Sequence, residues 1–480
     1  MSYKHGLYGG RIESQEDIST SKSIPVYIGT APMHRIKAEN RKINTPALIR
    51  SKQEAIRYMG YSETDKFEEF TLSAPVFAHF SNKIQSIGPI VIINVLDLKK
   101  ATSKTTTVTI TNGVGIIEEN VLIDSISIND KIEDTDYELS YNDKGHLRIS
   151  FIKEDQIPEE VSVGYKAIDT SVVTESDVIG TYDEKIESRT GIMAIEDVYE
   201  DLNVVPVIVT APGFNEKPKV RQALVSVTKK ISDKWEAIAF TDIDSSAVDN
   251  IEDAIKWKKT NGYNSNEEKV FWPKAVMGGK EIYLSIFCIV AKMQTDYKYD
   301  NIPYQTPSNK QIDATAITAK KKILKLSQNR ANDLNASGIT TAIYNGGKYV
   351  MWGPHMANFE DGVTSKPEEI FDTNVFMNKY LLNDFQVRNT DVVDQAMTRH
   401  DVDSLVNNEQ MILDAYVSAG RLLFGEISFK VTNNLVSDMI NGDFIFNTLV
   451  TNTPIGKSLT QQVQYTSKGI TAAYSDEEEE

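Results

Sequence analysis

The chain has 480 residues, with 40% hydrophobic and 25% charged side chains and a formal net charge of −17. This length exceeds one ordinary hydrophobic core, so we expect several domains. Phosphate binding requires Lys and Arg concentrated on one face, and the acidic balance therefore argues against a nucleic-acid partner. No apolar run reaches the ~18 residues of a membrane span, so direct membrane insertion is not expected either.

The N-terminal part predicts an arm followed by the first part of an α/β core. Residues 1–22 are rich in glycine and have little core-forming pattern, which predicts an extended arm. The core begins in residues 23–100 with a β-rich run that ends in a turn. It continues with a short helix that ends at Gly60 and with "GPIVIINVLDL", whose continuous apolar run is typical of a strand covered on both faces.

Residues 101–180 have an all-β pattern. Asn112-Gly113 stands between two apolar runs and predicts a hairpin with a type I′ turn. In residues 137–151, apolar and polar side chains alternate on both sides of the turn sequence "NDKG", which predicts a second hairpin. The segment "VSVGY" adds a further strand. We therefore expect an inserted all-β domain of the sandwich or barrel kind.

Residues 181–365 return to an α/β pattern and continue the core. Buried strands are predicted within 204–213 and 235–243, and helices within 217–231 and 247–262. This order favours a mainly parallel or mixed sheet flanked by helices. The apolar run at 282–291 is short enough for either a buried strand or a helix.

Residues 366–456 are predicted to form a C-terminal domain with a helix at 407–425, capped by Asn407 with Gln410 at the reciprocal capping position, and followed by a strand. The last segment, 457–480, has a strand-like alternation that shifts at Gly469, which predicts a bulge or bend. The run Asp476–Glu480 then reads either as a charged stop against further edge pairing or as a solvated tail.

Candidate chemistry is sparse, and we predict no catalytic, cofactor-binding or metal-binding residue. Asp242 and Asp244 end a predicted strand, where carboxylates hold magnesium or a ribose but equally cap a helix. His355 has no metal-like spacing to another His or Cys and reads as a structural loop residue. Cys288 lies in an apolar run, which raises the pKa of a thiol and lowers its reactivity. A soluble α/β enzyme that uses Asp242 and Asp244 remains the alternative.

Several segments resemble, in order, the tail sheath proteins of contractile phage tails and of phage-tail-like bacteriocins. Near the N-terminus these are "IPVYIGTAP", "INTPALIRSKQEAIRYMG", "FTLSAPVFAHFSN" and "GPIVIINVL". Further on, the single residues that carry the resemblance are Ala291, Asp296, Pro307, Ser308, Asn309, Leu334, Asn335, Gly338, Ile339, Trp352 and Gly353. One departure is Pro354-His355, where sheath proteins often have Arg-Thr.

The resemblance implies a structural subunit without catalysis or cofactor. Copies of such a protein form a helical tube around an inner tail tube, contact baseplate and tail-terminator proteins, and contract to drive the tube into a cell envelope. It also implies assembly in the bacterial cytoplasm, release by lysis and a final place in a virion or bacteriocin tail.

The same resemblance assigns residues to contacts between subunits. Terminal arms would add strands to neighbouring subunits through Tyr8, Ile12, Val463, Tyr465, Ile470, Ala472 and Tyr474. For the inner tube, we interpret the predicted helix at 407–425 as a possible facing element, with Asn408, Glu409, Asp414 and Arg421 as its contact residues. Burial of that helix within its own subunit is the alternative.

Overall fold

A computed structural model of the chain describes residues 19–152, 157–364 and 366–474. Tyr8, Ile12 and the run Asp476–Glu480 lie outside these residues. The strands are β1 (Ser19–Thr20), β2 (Pro25–Gly29), β3 (Ala47–Ile49), β4 (Ile87–Gly88), β5 (Ile90–Asn94), β6 (Thr102–Thr109), β7 (Val114–Ile117), β8 (Ser127–Ile128), β9 (Tyr137–Tyr141), β10 (Leu147–Phe151), β11 (Glu160–Ala167), β12 (Tyr182–Asp183), β13 (Ser188–Arg189), β14 (Ile208–Thr210), β15 (Ile238–Asp242), β16 (Glu268–Phe271), β17 (Lys274–Met277), β18 (Lys280–Tyr283), β19 (Ala316–Ala319), β20 (Lys322–Leu324), β21 (Ile339–Asn345), β22 (Lys348–Trp352), β23 (Leu422–Ser428) and β24 (Asn447–Asn452).

Short and long helices alternate with these strands. They are α1 (Lys52–Met59), α2 (Ser73–Phe80), α3 (Glu175–Ile179), α4 (Val198–Leu202), α5 (Pro218–Val227), α6 (Ile251–Thr260), α7 (Leu284–Lys298), α8 (Gln328–Asn335), α9 (Pro367–Ile370), α10 (Asp372–Arg388), α11 (Arg399–Ser418), α12 (Val436–Ile440) and α13 (Lys468–Tyr474). Within the described residues, no helix is long and apolar enough to cross a bilayer.

The centre of the molecule is an eight-stranded mixed sheet with the order β22-β21-β16-β15-β14-β2-β5-β3. The strands from β21 to β5 are parallel, and the outer strands β22 and β3 are antiparallel to their neighbours. The five strands from β16 to β5 are buried along their whole length, because helices and loops cover both faces. The predicted α/β core is confirmed.

Helices α7 and α5 lie in the apolar layers on opposite faces of the main sheet. The helix α7 contains Cys288 and is buried from Leu284 to Asp296, which resolves the open interpretation of residues 282–291 in favour of a helix. The helix α5 has Pro218 at its first turn, as its sequence predicts. The helix α1 ends at Gly60, whose φ of 73° is the left-handed conformation that glycine adopts readily.

Between β5 and α3 the chain forms two three-stranded sheets, with the orders β7-β10-β9 and β6-β11-β8. They share one apolar cluster, as the prediction of an inserted β domain requires. The β9–β10 hairpin is confirmed. Asn112 and Gly113 make the predicted two-residue hairpin turn, with φ of 51° and 77°, and Thr111 and Val114 pair across it in an antiparallel bridge. Beyond this bridge, β6 and β7 do not pair with each other. The two strands separate into different sheets, so that Val108 and Ile117 face the common cluster from both sides.

The C-terminal module, defined as α10 to β24, packs α10 and α11 against the two-stranded β23–β24 sheet around its own apolar cluster. The predicted helix at 407–425 is displaced. It begins after Thr398, whose hydroxyl and Asp401 form the reciprocal cap that the prediction gave to Asn407 and Gln410. It ends at Ser418, before Gly420 turns with a φ of 68°, so residues 422–425 belong to β23.

Residues 453–467 form neither helix nor strand, and the segment then ends in the helix α13. The strand predicted for Ile470, Ala472 and Tyr474, with a bend at Gly469, is therefore wrong for the single chain. A lone strand leaves its backbone groups unpaired, whereas a helix satisfies them within the segment. Val463 and Tyr465 are exposed and pair with no strand within the described part of the chain.

Candidate assembly surfaces

The carboxyl edge of the main sheet is where an α/β enzyme holds its ligand, and Asp242 lies there, 2% exposed. Its carboxylate accepts hydrogen bonds from Ser285 N at 3.1 Å, Ser285 Oγ at 2.6 Å and Asn215 Nδ2 at 3.0 Å. Burial raises its pKa to about 6. Asp242 therefore holds the first turn of α7 against β15, which is a structural task.

Asp244 stabilises the turn at residues 245–247 and does not cap a helix, because α6 begins at Ile251 and is capped by Asn250. Its Oδ1 accepts from Ser246 N at 2.8 Å and from Ala247 N at 3.2 Å. Among the described residues, no group of three or more His, Cys, Asp or Glu could hold a metal ion. The pair thus gives the alternative enzyme interpretation no support.

Sequence reasoning missed Glu216, which lies near this edge. Burial raises its pKa to about 7, and the nearby Asp244 carboxylate adds to the effect. It hydrogen-bonds to the Tyr283 side chain, and Lys274 lies close enough to oppose the shift. Its sequence context, an exposed-looking loop before α5, gives no sign of this burial.

His355 and Cys288 are both packed away. The His355 ring stacks on Phe359 with a centroid separation of 3.6 Å and also contacts Phe371. Burial lowers the pKa of His355 to about 4, with the Lys269 ammonium contributing. Burial raises the pKa of the Cys288 thiol to about 12. Both side chains are buried, at 4% and 0% exposure, and the burial of Cys288 agrees with its place in an apolar run.

The segments that carry the resemblance meet in a buried polar junction between the main sheet and the C-terminal module. Lys269 and Asp372 form an ion pair of 2.9 Å with both side chains fully buried. The Lys269 amine also donates to the carbonyl oxygens of Gly353 and His355, each at 3.0 Å. Thr306 Oγ1 donates to the same Asp372 carboxylate at 2.9 Å. This junction joins strand β16 to the start of α10.

Gly353 is required at the centre of this junction. Its φ is 135°, and a Cβ there would lie 2.5 Å from Asn335 Oδ1. Asn335 Nδ2 donates to Trp352 O at 3.2 Å, and Gly353 N donates to Ser308 Oγ at 3.1 Å. The Leu-Asn, Pro-Ser-Asn and Trp-Gly segments are therefore neighbours in space, although the sequence alone does not reveal their contacts.

A second buried ion pair anchors the start of the described chain. Lys292 Nζ lies 2.5 Å from Asp296 Oδ1, and neither side chain is exposed. Ser23 Oγ donates to the other oxygen of Asp296 at 2.7 Å, and Lys22 N donates to Asn301 Oδ1 at 3.0 Å. These contacts hold Lys22 and Ser23 against α7 and the loop that follows it.

A cleft of about 940 Å³ lies beside the buried junction. Residues 304–310, the helix α8 and residues 352–361 contribute to its walls, and residues 453–459 line it from the C-terminal side. Thr453 Oγ1 donates to Gly420 O at 2.9 Å where the segment leaves β24. The last segment thus runs away from the C-terminal module over the surface of its own subunit.

The proposed tube-facing residues do not share one surface. Asn408 and Asp414 are exposed on α11. Glu409 is 7% exposed and accepts from Asn389 Nδ2 at 2.9 Å while pairing with Arg388. Arg421 lies beyond the helix and pairs with Asp300. Only Asn408 and Asp414 remain on an exposed face, and their contact with an inner tube stays a prediction.

The two strands β23 and β24 pair only with each other in the described part of the chain. Helix α11 covers one face of this pair, where Ile427 is 5% exposed. The opposite face exposes Phe424 by 46% and Leu449 by 54%. Gln410 occupies part of the β23 edge, where its Nε2 donates to Gly425 O at 2.9 Å and its Oε1 accepts from Ile427 N at 3.0 Å. A two-stranded sheet with an open β24 edge and an exposed apolar face is able to accept a further strand.

The fold was compared with known proteins. No family model and no curated protein matches the chain. A chain of the anti-feeding prophage (AFP) baseplate has a TM-score of 0.61 at 10% identity, over 97% of this chain and 100% of that one. The AFP helical sheath in its contracted state has a TM-score of 0.55 at 11% identity, over 96% and 99%. The contracted PVC sheath complex, an extracellular contractile injection system, gives 0.55 at 11%, over 98% and 99%.

These matches cover almost the whole of each chain, including the inserted β domain and the C-terminal module. The chain therefore has the fold of contractile tail sheath proteins.

Proposed function

We propose that this protein is the structural subunit of a contractile tail sheath in a phage tail or a phage-tail-like particle. Many copies form a helical tube around an inner tail tube and bind baseplate and terminator proteins at its ends. The observation that carries the proposal is the match of fold over 96–98% of the chain to AFP and PVC sheath structures. The function requires no catalytic residue and no cofactor.

Strand addition is the linkage that we propose between subunits. The open edge of β24 supplies the acceptor, and residues 457–474 supply an exposed donor in which Leu459, Val463 and Tyr465 are 91%, 85% and 81% exposed. Backbone hydrogen bonds then join the copies, while side chains set the register. The helix α13 would unfold when its residues enter a neighbour's sheet.

Contraction is proposed as a rigid-body movement of subunit cores that keeps these strand links. Head-to-tail contacts that do not close into a ring generate a helical polymer. Such a polymer changes pitch and diameter by repacking its interfaces. We propose that it assembles in the bacterial cytoplasm and leaves the cell by lysis, because the particle works on an outer cell envelope.

Electron microscopy of the purified protein in negative stain tests the proposal. We expect hollow tubes or short tube fragments. Deleting residues 457–480 should abolish the polymer, while circular dichroism shows an unchanged fold, because those residues contribute no strand to the subunit's own sheets. A truncated chain that still polymerises would contradict the arm linkage, and a full-length chain that stays monomeric with tube protein present would contradict the sheath function.

A further inference from the structure

The hairpin between β19 and β20 concentrates positive charge at the edge of a four-stranded sheet. Its lysine cluster, defined as Lys320, Lys321, Lys322 and Lys325, is exposed throughout. Lys320 and Lys321 form the turn with φ of 47° and 59°, and β20 is the outer strand of the order β18-β17-β19-β20. Four ammonium groups within six residues therefore project from one corner of a chain whose net charge is −17.

Most of this charge is not compensated within the subunit. Lys320 Nζ lies 3.4 Å from Asp249 Oδ2. In the part of the chain that the structure describes, Lys321, Lys322 and Lys325 have no carboxylate partner. The cluster is thus a local positive patch on an acidic molecule, and a patch of this kind attracts an acidic partner.

The chain itself contains a segment of complementary chemistry. Asp476–Glu480 are five consecutive acidic residues, directly after Tyr474 and Ser475. Tyr474 is 84% exposed, and an apolar side chain, Ile323, is 68% exposed within the lysine cluster. The two segments are complementary: the aromatic ring can pack against the exposed isoleucine, and the acidic residues can pair with the surrounding lysines.

The path of the C-terminal segment permits contact with another copy. Residues 453–467 form no helix or strand. Residues 453–459 line the cleft of their own subunit. At ~3.3 Å per residue, residues 460–467 span up to roughly 26 Å beyond it, which allows the end of the segment to reach an adjoining copy.

We propose that Asp476–Glu480 of one copy bind the lysine cluster of a neighbouring copy, with Tyr474 against Ile323. This inference rests on the proposed self-assembly, and it adds a charged contact beyond the strand linkage. The contact lies on the surface, so salt weakens it. The contact stabilises the bound arm of a second copy after the strands of that arm have paired with the neighbour's sheet.

Charge reversal tests the contact. Lys321→Glu, Lys322→Glu and Lys325→Glu together, or five substitutions Asp476→Lys and Glu477→Lys to Glu480→Lys, should each raise the critical concentration for tube formation about tenfold at low salt, as a few exposed ion pairs imply. Sedimentation of polymer measures this concentration. The chain that carries both sets should recover, because the paired charges are restored with opposite signs.

A matched control separates the contact from a general change of net charge. Lys219, Lys229 and Lys256 are exposed lysines on and next to α5 and α6. Reversing these three to glutamate should leave the critical concentration within about twofold of the parent. An equal rise in this control, or no recovery in the chain with both reversals, would overturn the inference.

Cross-linking identifies the partner copy. Tubes assembled from isotopically light and heavy chains are treated with a carbodiimide, which joins a carboxylate directly to a lysine amine. We expect linked peptides from residues 320–325 and 476–480 that contain one light and one heavy member. Links within single chains only, or none at this cluster, would overturn the inference.

Two further outcomes keep this inference separate from the sheath function. Easier polymerisation after neutralising Asp476–Glu480 would mean that the acidic run acts as a stop, and would overturn the proposed contact. Tubes that form normally despite both separate charge reversals would overturn the contact and leave the sheath function standing. Failure of the parent chain to form any tube would instead overturn the sheath function.

Discussion

The main sheet and the β23–β24 pair differ in how their edges are treated. Residues 309–312 cover the outer strand β22, with Asn309 N bonded to Met351 O at 2.7 Å and Ile312 N bonded to Tyr349 O at 3.0 Å. In the described residues, no strand pairs with the outer edges of β23 or β24, but Gln410 lies against the β23 edge, where its Nε2 donates to Gly425 O at 2.9 Å and its Oε1 accepts from Ile427 N at 3.0 Å. The main sheet therefore covers its β22 edge within one chain, whereas the C-terminal pair leaves the edge of β24 available to another chain.

The apolar side chains show the same contrast. Strands β2, β5, β14, β15 and β16 bury every residue, whereas Phe424 and Leu449 of the β23–β24 pair remain about half exposed. We therefore expect the main sheet to determine the stability of the subunit and the outer face of the β23–β24 pair to determine its association. Mutations should therefore separate the two properties.

The largest effect on stability is expected at the junction of the two regions. Asp372→Ala removes the carboxylate partner of the fully buried Lys269 and should lower the free energy of unfolding by about 3–5 kcal/mol. Urea unfolding followed by tryptophan fluorescence measures the loss. Lys269→Met combined with Asp372→Leu should recover most of it, because no charge is then left buried. A loss below about 1 kcal/mol for the single change would show that the junction is not a shared support.

The sharpest comparison lies within the β23–β24 pair. Ile427→Ala empties a buried position and should lower the free energy of unfolding by about 2–5 kcal/mol. Leu449→Ala, on the exposed face, should change it by about 0.5 kcal/mol or less. The second change should nevertheless raise the critical concentration for tube formation in sedimentation. If Ile427→Ala and Leu449→Ala lowered the free energy of unfolding equally, the β23–β24 pair would not have one buried and one exposed face.

The smallest effect is expected from Glu216, at the edge of the main sheet. The folded chain holds this proton up to about pH 7, while the usual pKa is 4.5, so stability falls as the pH rises through this interval. Glu216→Gln should therefore be more stable than the parent by about 1 kcal/mol near pH 8 and equal to it near pH 4. Thermal unfolding at both pH values measures this, with the exposed Glu200→Gln as control. A difference that does not depend on pH would contradict the explanation.

Local sequence patterns predicted those elements whose ends are decided locally. Gly60 ends α1, Pro218 begins α5, and the turn at residues 142–145 joins β9 to β10. The order of strands and helices predicted the α/β core and the inserted β domain. In each case the deciding interaction lies within a few residues along the chain.

Where distant contacts decide, the sequence was insufficient. The turn at Asn112-Gly113 was predicted, yet its two strands join different sheets because the common apolar cluster lies between them. The contact residues proposed on the helix at 407–425 were spread over a helix, a buried pair and a turn, since Glu409 finds Arg388 on another helix. Lys269 and Asp372 are 103 residues apart in the sequence, and no local sequence pattern predicts that they form an ion pair.

The inserted β domain joins the core through two strands that lie side by side. Thr102, at the start of β6, is the register partner of Ala167, at the end of β11. The chain therefore enters and leaves the inserted domain at adjacent positions, and the domain further contacts the core through side chains, among them the ion pair of Arg41 with Asp124 and the hydrogen bond from the Tyr141 hydroxyl to His34 O at 3.4 Å. A different domain inserted between Thr102 and Ala167 would keep the chain path of the main sheet and would have to replace side-chain contacts such as these.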